Sequence, residues 1–188
     1  MLFSIFDTET TDLTKHPKSD IDVQPNIIEF GGIITDGVSV LDQLEFKCNP
    51  GQPLEAVITK ITGLKDEDLK DQPPFRHYFG DLRQYFAQAC GRVAHNLSFD
   101  RDMLFYECER AGTTLADIGY YTHTPGGSLT VELCTVEQSF FEYGRQMKLQ
   151  ELIEIVKGEY VQKHRALDDV LQLFDVCKFL GIFEVFEK

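Results

Sequence analysis

The sequence lacks the features that mark secreted, membrane and zinc-binding proteins. Its five cysteines are scattered along 188 residues, and no two of them form a CxxC pair. This spacing argues against a disulfide framework and against a thiolate zinc site. The chain has no apolar stretch as long as a membrane span, and its N-terminus lacks the basic region of a signal peptide. We therefore expect a soluble cytoplasmic protein with no membrane partner.

Positive charge is also scarce. The chain has 18 Lys and Arg against 31 Asp and Glu, which gives a formal net charge of −13. Proteins that grip nucleic acid by neutralising its phosphates carry a basic surface, so this balance disfavours that mode of binding. Three possibilities stay open: a ligand other than nucleic acid, a local contact assisted by metal ions, or a partner that holds the substrate.

The chain does contain enough apolar residues to form a sizeable hydrophobic core. The hydrophobic fraction is 43%, and 15 residues are Phe. No internal repeat, low-complexity tract or linker divides the sequence. The length and composition therefore predict a single domain over residues 1–188.

Hydrophobic periodicity divides the chain into strands and helices. The dipeptide Asp36-Gly37 between two apolar runs predicts a β-hairpin, so the first three strands form an antiparallel meander. The order of the elements predicts an α/β fold with a mixed five-stranded sheet and helices packed on it. The predicted strands cover residues 2–6, 27–35, 38–48, 92–96 and 129–134. The predicted helices cover residues 54–61, 65–69, 74–89, 98–111, 137–141, 149–156 and 165–180.

Three segments fall outside this pattern. Residues 12–24 are mostly polar and residues 119–128 contain several Gly and a Pro, and we interpret both segments as loops. The terminal segment 182–186 is apolar. We expect it to dock on the body of its own domain, with contact to a partner as the alternative.

The first strand ends in two carboxylates, Asp7 and Glu9. Side chains alternate along a strand, so these two lie side by side on one face. Two neighbouring anions repel each other, and burial adds a desolvation cost. A cation between them removes both penalties, and carboxylate oxygens suit Mg²⁺ or Mn²⁺. The alternative is a pair of solvated acids before a turn, and other segments must decide between the two.

Two more acids and a histidine stand at informative positions. Asp100 falls in the first turn of a predicted helix, where the helix dipole favours an ionised carboxylate. His164 stands five residues before Asp169. Five helical positions rotate by ~140°, so the two would not share a face if both were helical. We therefore expect His164 in the turn before the last helix, where its imidazole can serve as a general base at the same site.

Three motifs in order now suggest a family. They are FDTETTDL at residues 6–13, HNLSFD at 95–100 and HRALDD at 164–169. The intervening segments IIEFGG, ITGLKDEDL and KLQELIEIV fit the same pattern. Over nearly its whole length the chain resembles the DEDDh branch of the DnaQ-like 3′–5′ exonucleases, which have an RNase H-like fold.

The resemblance implies roles for particular residues. Asp7, Glu9, Asp100 and Asp169 would bind two Mg²⁺ or Mn²⁺ ions, and His164 would deprotonate the attacking water. The positions that would surround the terminal nucleotide are Thr10, Leu13, Asn96 and Phe99. The sequence departs from the common family pattern at Asp12, where Gly is frequent, and at Cys134, where Asp is frequent.

The implied activity is metal-dependent hydrolysis of phosphodiester bonds at the 3′ end of single-stranded DNA or at mismatched 3′ ends, as in proofreading. The products would be nucleoside 5′-monophosphates, and a DNA polymerase or another replication protein would be a partner. One alternative is an exoribonuclease that trims RNA or short oligoribonucleotides, because only one or two contacts read the 2′-hydroxyl. Another is a catalytically silent module that binds nucleic acid or assembles with other proteins.

Overall fold

The computed structural model describes residues 1–121, 123–124, 127–128, 130–159 and 163–184. Its centre is a five-stranded sheet with the order β3 (Val40–Lys47), β2 (Ile27–Thr35), β1 (Phe3–Thr10), β4 (Gly91–Ala94) and β7 (Val131–Cys134). The first three strands are antiparallel neighbours, and β4 runs parallel to both β1 and β7. The predicted mixed sheet is therefore confirmed. A separate small hairpin consists of β5 His123–Thr124 and β6 Gly127–Ser128.

Helices cover both faces of this sheet. They are α1 Ala56–Thr62, α2 Asp66–Leu69, α3 Phe79–Ala87, α4 Leu97–Arg110, α5 Thr135–Tyr143, α6 Leu149–Lys157 and α7 Ala166–Phe179. Short 3₁₀ turns lie at Ile21–Val23 and Phe75–Tyr78. Among the described residues, every helix is too short or too polar to span a membrane.

Alternation along β1 explains how one strand serves two cores. Phe6 is buried in the cluster that includes side chains of α3 and α4. Phe3 and Ile5 point the other way and are buried with side chains of α6 and α7. By the same alternation, Asp7 and Glu9 lie on the face that α7 covers, whereas Thr8 faces α4. The strand thus presents polar side chains to both helices at one end of the sheet.

A glycine permits the close approach of α7 to the sheet. A Cβ atom on Gly31 of β2 would lie 2.7 Å from Leu167 Cα and closer still to Leu167 N and the carbonyl carbon of Ala166. No side chain fits in that space. Gly31 therefore lets the first turn of α7 rest directly on β2.

Two helix starts differ from the predictions. α4 begins at Leu97, and its N-cap is Asn96 (φ 64°, ψ 51°), whereas Ser98 at the start of the predicted helix 98–111 is the N-cap that the sequence predicts, so that prediction was wrong. The chain turns sharply after β4, and a short polar side chain such as Asn tolerates the left-handed conformation that this turn requires. The helix predicted over residues 74–89 is divided into the 3₁₀ turn at Phe75–Tyr78 and α3.

The last helix and the start of the tail agree with the predictions. α7 begins after His164, and Gly181 adopts φ 63° just beyond its end. Ile182 and Phe183 are buried on the same domain, where the Phe183 ring lies 4.9 Å from the Phe3 ring between centroids. Docking of the tail is therefore confirmed for these two residues. Residues 185 and 186 lie outside the described part of the chain, as do residues 122, 125 and 126 of the predicted 119–128 loop.

Candidate active site

β1 and α4 together fix the position of Asp100. The Oδ1 atom of Asp100 accepts hydrogen bonds from Thr8 N at 3.0 Å and from Thr8 Oγ1 at 2.8 Å. The carboxyl group is 2% exposed and lies in the first turn of α4, as predicted. Thr8, which lies between Asp7 and Glu9 in β1, therefore holds Asp100 close to these two acids.

The start of α7 brings the other two residues to the site. Asp169 is 2% exposed, and His164 lies in the turn before the helix, as predicted. One potential ligand atom from each of Glu9, His164 and Asp169 lies within 4.8 Å of the other two. The structure thus brings the five predicted residues together from β1, from the first turn of α4 and from the region around the start of α7.

Three carboxyl groups of the site have raised pKa values. Burial raises the pKa of Asp7 well above its usual value, and the charges of Asp100, Glu9 and Asp169 raise it further. Burial, followed by the charge of Asp169, raises the pKa of Glu9 to about 8. Burial also raises the pKa of Asp100 to about 7, although the hydrogen bonds from Thr8 oppose this change. The donor set consists mainly of carboxylate oxygens that repel one another, which fits a hard divalent cation.

These shifts predict that the metal-free protein loses stability as pH rises. Unfolded carboxyl groups have a pKa of about 4, so between about pH 5 and pH 8 the native state binds more protons than the unfolded chain. The free energy of unfolding must then fall as the pH increases through this range. We expect the melting temperature in EDTA to decrease from pH 5 to pH 8 and added Mg²⁺ to restore it at pH 8.

Differential scanning fluorimetry over this pH range tests the prediction. The variant Asp7→Asn removes one of the repelling carboxylates, so its melting temperature should depend less on pH. A melting temperature that rises with pH in EDTA, or one that Mg²⁺ does not change at pH 8, would contradict the prediction.

A cleft opens beside Asp7. It has a volume of about 590 Å³, in the size range of ligand sites. His95 lies on its wall, and its Nδ1 is 2.9 Å from Thr135 Oγ1. Burial lowers the pKa of His95 to about 4, so this ring is neutral at physiological pH. The lining residues are Asp7, His95, Asn96, Val136, Gln146, Met147, Lys148 and Leu149.

The residues predicted to surround a terminal nucleotide occupy different environments. Asn96 lines the cleft. Leu13 is 72% exposed on the loop after β1, and Thr10 Oγ1 donates a hydrogen bond to the Asp12 carbonyl at 2.7 Å. Phe99 packs against the core between the sheet and α4. Among these four, only Asn96 belongs to the described lining of the cleft, and the binding roles of all four stay predictions.

Sequence reasoning missed two residues beside the site. Glu29 of β2 is fully buried, and Arg165 Nη2 binds its Oε1 at 2.6 Å. A charged residue inside the apolar run IIEFGG was a signal, because acids are almost never fully buried unless they are paired. The signal identifies Glu29 but gives no indication of its partner.

The chain is similar to known proteins in sequence and in fold. The family model RNase_T, described as "Exonuclease", matches residues 4–177. The chain is 30% identical over 173 residues to the DNA polymerase III PolC-type of Bacillus subtilis (strain 168), covering 89% of this chain and 10% of that protein. It therefore spans about a tenth of the length of such polymerase relatives.

Two solved structures share the fold. One is exonuclease X in complex with 5′ overhanging duplex DNA, with a TM-score of 0.64, 19% identity, and coverage of 99% of this chain and 93% of that one. The other is the nuclease domain of 3′hExo, a DEDDh family member, bound to rAMP, with a TM-score of 0.74, 13% identity, and coverage of 96% and 92%. The predicted RNase H-like fold is confirmed. With the family match over residues 4–177, the three motifs and the shared fold, the chain belongs to the exonuclease family and resembles its DEDDh 3′–5′ members, as the sequence predicted.

Proposed function

We propose that this chain is a 3′–5′ exonuclease that hydrolyses phosphodiester bonds at the 3′ end of single-stranded or mismatched DNA and releases nucleoside 5′-monophosphates. The observation that supports it most is the convergence of Asp7, Glu9, Asp100, Asp169 and His164 at one end of the sheet in a member of the exonuclease family. We further propose that residues 1–188 act as one exonuclease domain.

The DEDDh exonuclease family depends on divalent metal ions, and the oxygen-rich donor set of this chain fits them. We propose that Asp7, Glu9, Asp100 and Asp169 hold two Mg²⁺ or Mn²⁺ ions. When bound, two such ions stabilise the charge that develops on the attacking and leaving oxygens of a phosphodiester.

The protein's own residues supply the proton transfer and the positioning. His164 is partly exposed at the start of α7, near Glu9 and Asp169, so its imidazole can accept the proton of the attacking water. Asp100, held by Thr8, keeps the carboxylate cluster in place against β1. Asn96 lies on the cleft wall, which supports its proposed contact with the terminal nucleotide.

The preference for DNA rests on the relatives. The most similar ones include PolC-type DNA polymerases and the 3′-5′ exonuclease DinG of Bacillus subtilis (strain 168). A second candidate, an exoribonuclease, is supported by the likeness to 3′hExo, whose nuclease domain was solved with rAMP. The net charge of −13 favours a partner that holds the strand, and the PolC-type relatives make a replication polymerase the natural candidate.

A gel time course tests the proposal. DNA and RNA single strands of the same sequence, labelled at the 5′ end, are incubated with Mg²⁺, Mn²⁺ or EDTA. We expect a ladder that shortens from the 3′ end, faster on DNA, and that disappears in EDTA and in the variants Asp100→Ala and His164→Ala.

Each other outcome would contradict part of the proposal. Faster degradation of RNA than of DNA would mean that RNA is the preferred substrate. Cleavage that persists in EDTA would show that the reaction needs no divalent metal ion. Cleavage that persists in both variants would show that Asp100 and His164 do not belong to the active site. A wild-type protein that cleaves neither polymer, alone or with a polymerase, would be a binding module.

A further inference from the structure

A fifth carboxylate lies beside the four proposed metal ligands. Glu29 of β2 is directly opposite Glu9 of β1 in the antiparallel register and is 0% exposed. Its charge contributes to the raised pKa values of Asp7 and Glu9. A buried anion in this position is costly unless it is paired. The buried charge of Glu29 therefore requires hydrogen-bond partners, and the residues that follow His164 provide them.

Both oxygens of Glu29 are engaged by the start of α7. Oε1 accepts hydrogen bonds from Arg165 Nη2 at 2.6 Å and Arg165 Nε at 3.1 Å. Oε2 accepts from Arg165 Nε at 3.0 Å and from the backbone N–H of Ala166 at 3.0 Å. Glu29 is thus bound by a planar guanidinium and by the first residue of the helix, an arrangement that a lysine could not reproduce.

These contacts fix the two residues that follow His164. His164 has φ 50°, in the left-handed region that residues other than glycine rarely adopt. Such a conformation is strained and persists where the surroundings hold it. Arg165 and Ala166 are bound to Glu29 immediately after this turn, and Gly31 lets the same segment rest on β2. The turn that carries the histidine is therefore anchored from the sheet side.

We propose that Glu29 and Arg165 are positioning residues that hold the His164 turn against β2, so that the imidazole stays beside Glu9 and Asp169. This inference rests on the proposed function, because it concerns the proton transfer assigned to His164. It also assigns a task to Glu29 other than metal binding, since its oxygens already accept hydrogen bonds from α7.

Two conservative variants test the pair. Glu29→Gln keeps the size of the side chain but removes its charge, and Arg165→Lys keeps the charge but removes the planar fork. Glu45→Gln is the matched control, because Glu45 also lies near Arg165, at 3.8 Å, but its side chain is 44% exposed. We expect both test variants to lower kcat by about 10- to 100-fold with KM within about two-fold of wild type, and the control to match wild type. A rise in KM alone, or an equal effect of the control, would overturn the proposal.

A double-mutant cycle separates positioning from general damage. If the pair acts through His164, then Glu29→Gln should cause no further loss of the residual rate that His164→Ala retains in long incubations at high enzyme concentration. Losses that multiply, as for two independent sites, would show that the pair acts through something other than His164.

A second pair of substitutions guards against loss of the fold. The double variant Glu29→Leu with Arg165→Met replaces the ion pair by apolar side chains, which often preserves stability. We expect a melting temperature close to that of wild type together with the low kcat of the single variants. Recovery of kcat along with stability would show that the pair serves only the fold.

A readout that needs no activity keeps this inference separate from the proposed function. Amide hydrogen exchange of the segment around residues 164–166 should be faster in Glu29→Gln than in wild type and unchanged in Glu45→Gln. If the wild-type protein degrades no nucleic acid but the exchange differs in this way, the anchor stands and the proposed function fails. Unchanged exchange in Glu29→Gln would overturn the anchor whatever the activity.

Discussion

The variant Asp100→Asn is expected to abolish nuclease activity and, at the same time, to stabilise the metal-free protein. The Oδ1 atom of Asn can still accept the hydrogen bonds from Thr8 N and Thr8 Oγ1, so the contact between α4 and β1 survives. What disappears is the charge that a divalent cation would bind. Loss of several kcal/mol of transition-state stabilisation corresponds to a fall in kcat/KM of about 10³-fold or more.

The gain in stability follows from the repulsion within the site. Burial raises the pKa of Asp100 to about 7, so holding this group ionised at pH 8 opposes folding. A neutral amide removes that cost. We expect a gain on the order of 1 kcal/mol in the free energy of unfolding, which is about 2–4 °C in melting temperature for a domain of this size.

Thermal melts and exonuclease assays with and without Mg²⁺ measure both effects. Asp102→Asn is the matched control, because Asp102 lies on the same helix and pairs with Lys18 near the surface at 2.5 Å. Its effect on stability should stay within about 0.5 kcal/mol, with full activity. An Asp100→Asn variant that is less stable in EDTA, or that retains a tenth of the wild-type activity, would contradict the assignment of Asp100.

The parts of the site that sequence predicted are those governed by local geometry. Alternation along a strand places Asp7 and Glu9 on one face, and the structure has them on the face that α7 covers. The rotation per residue of a helix required His164 to precede α7, which begins at Ala166. In both cases a few consecutive residues determine the result, so the sequence was sufficient.

The parts that sequence missed depend on contacts between distant segments. Glu29 and Arg165 are 136 positions apart, and the hydrophobic periodicity of neither segment predicts that their side chains are in contact. The N-cap of α4 was placed at Ser98 because Ser commonly caps helices, whereas the sharp turn after β4 places Asn96 there in the left-handed conformation. The cleft wall at residues 146–149 likewise becomes part of the site only when the segment before α6 meets the start of α4.

The variant Gly31→Ala is expected to damage stability and catalysis together. The added Cβ would lie 2.7 Å from Leu167 Cα and closer to Leu167 N and the carbonyl carbon of Ala166. These are backbone atoms, so no side-chain rotation relieves the overlap, and the first turn of α7 must move away from β2. Overpacking of this kind costs about 1–3 kcal/mol, which lowers the melting temperature by roughly 2–12 °C in a domain of this size.

The same displacement moves catalytic groups. His164 and Asp169 flank the segment that touches Gly31, and a misplacement of about 1 Å at reacting groups can reduce the rate about 10²-fold. Gly80→Ala is the matched control, because Gly80 lies in α3 with no atom within 4 Å of a new Cβ. It should keep full activity and gain about 0.5–1 kcal/mol from improved helix propensity.

Melting temperature and kcat, both measured well below the melting transition, distinguish the possible results. A Gly31→Ala protein that is folded at the assay temperature but has a greatly reduced kcat would show that contact between β2 and the start of α7 sets the geometry of the site. A protein with a lowered melting temperature and normal kcat would show that this contact serves packing alone. Wild-type values of both would contradict the close approach itself, because no backbone can accept a Cβ atom at these distances without moving.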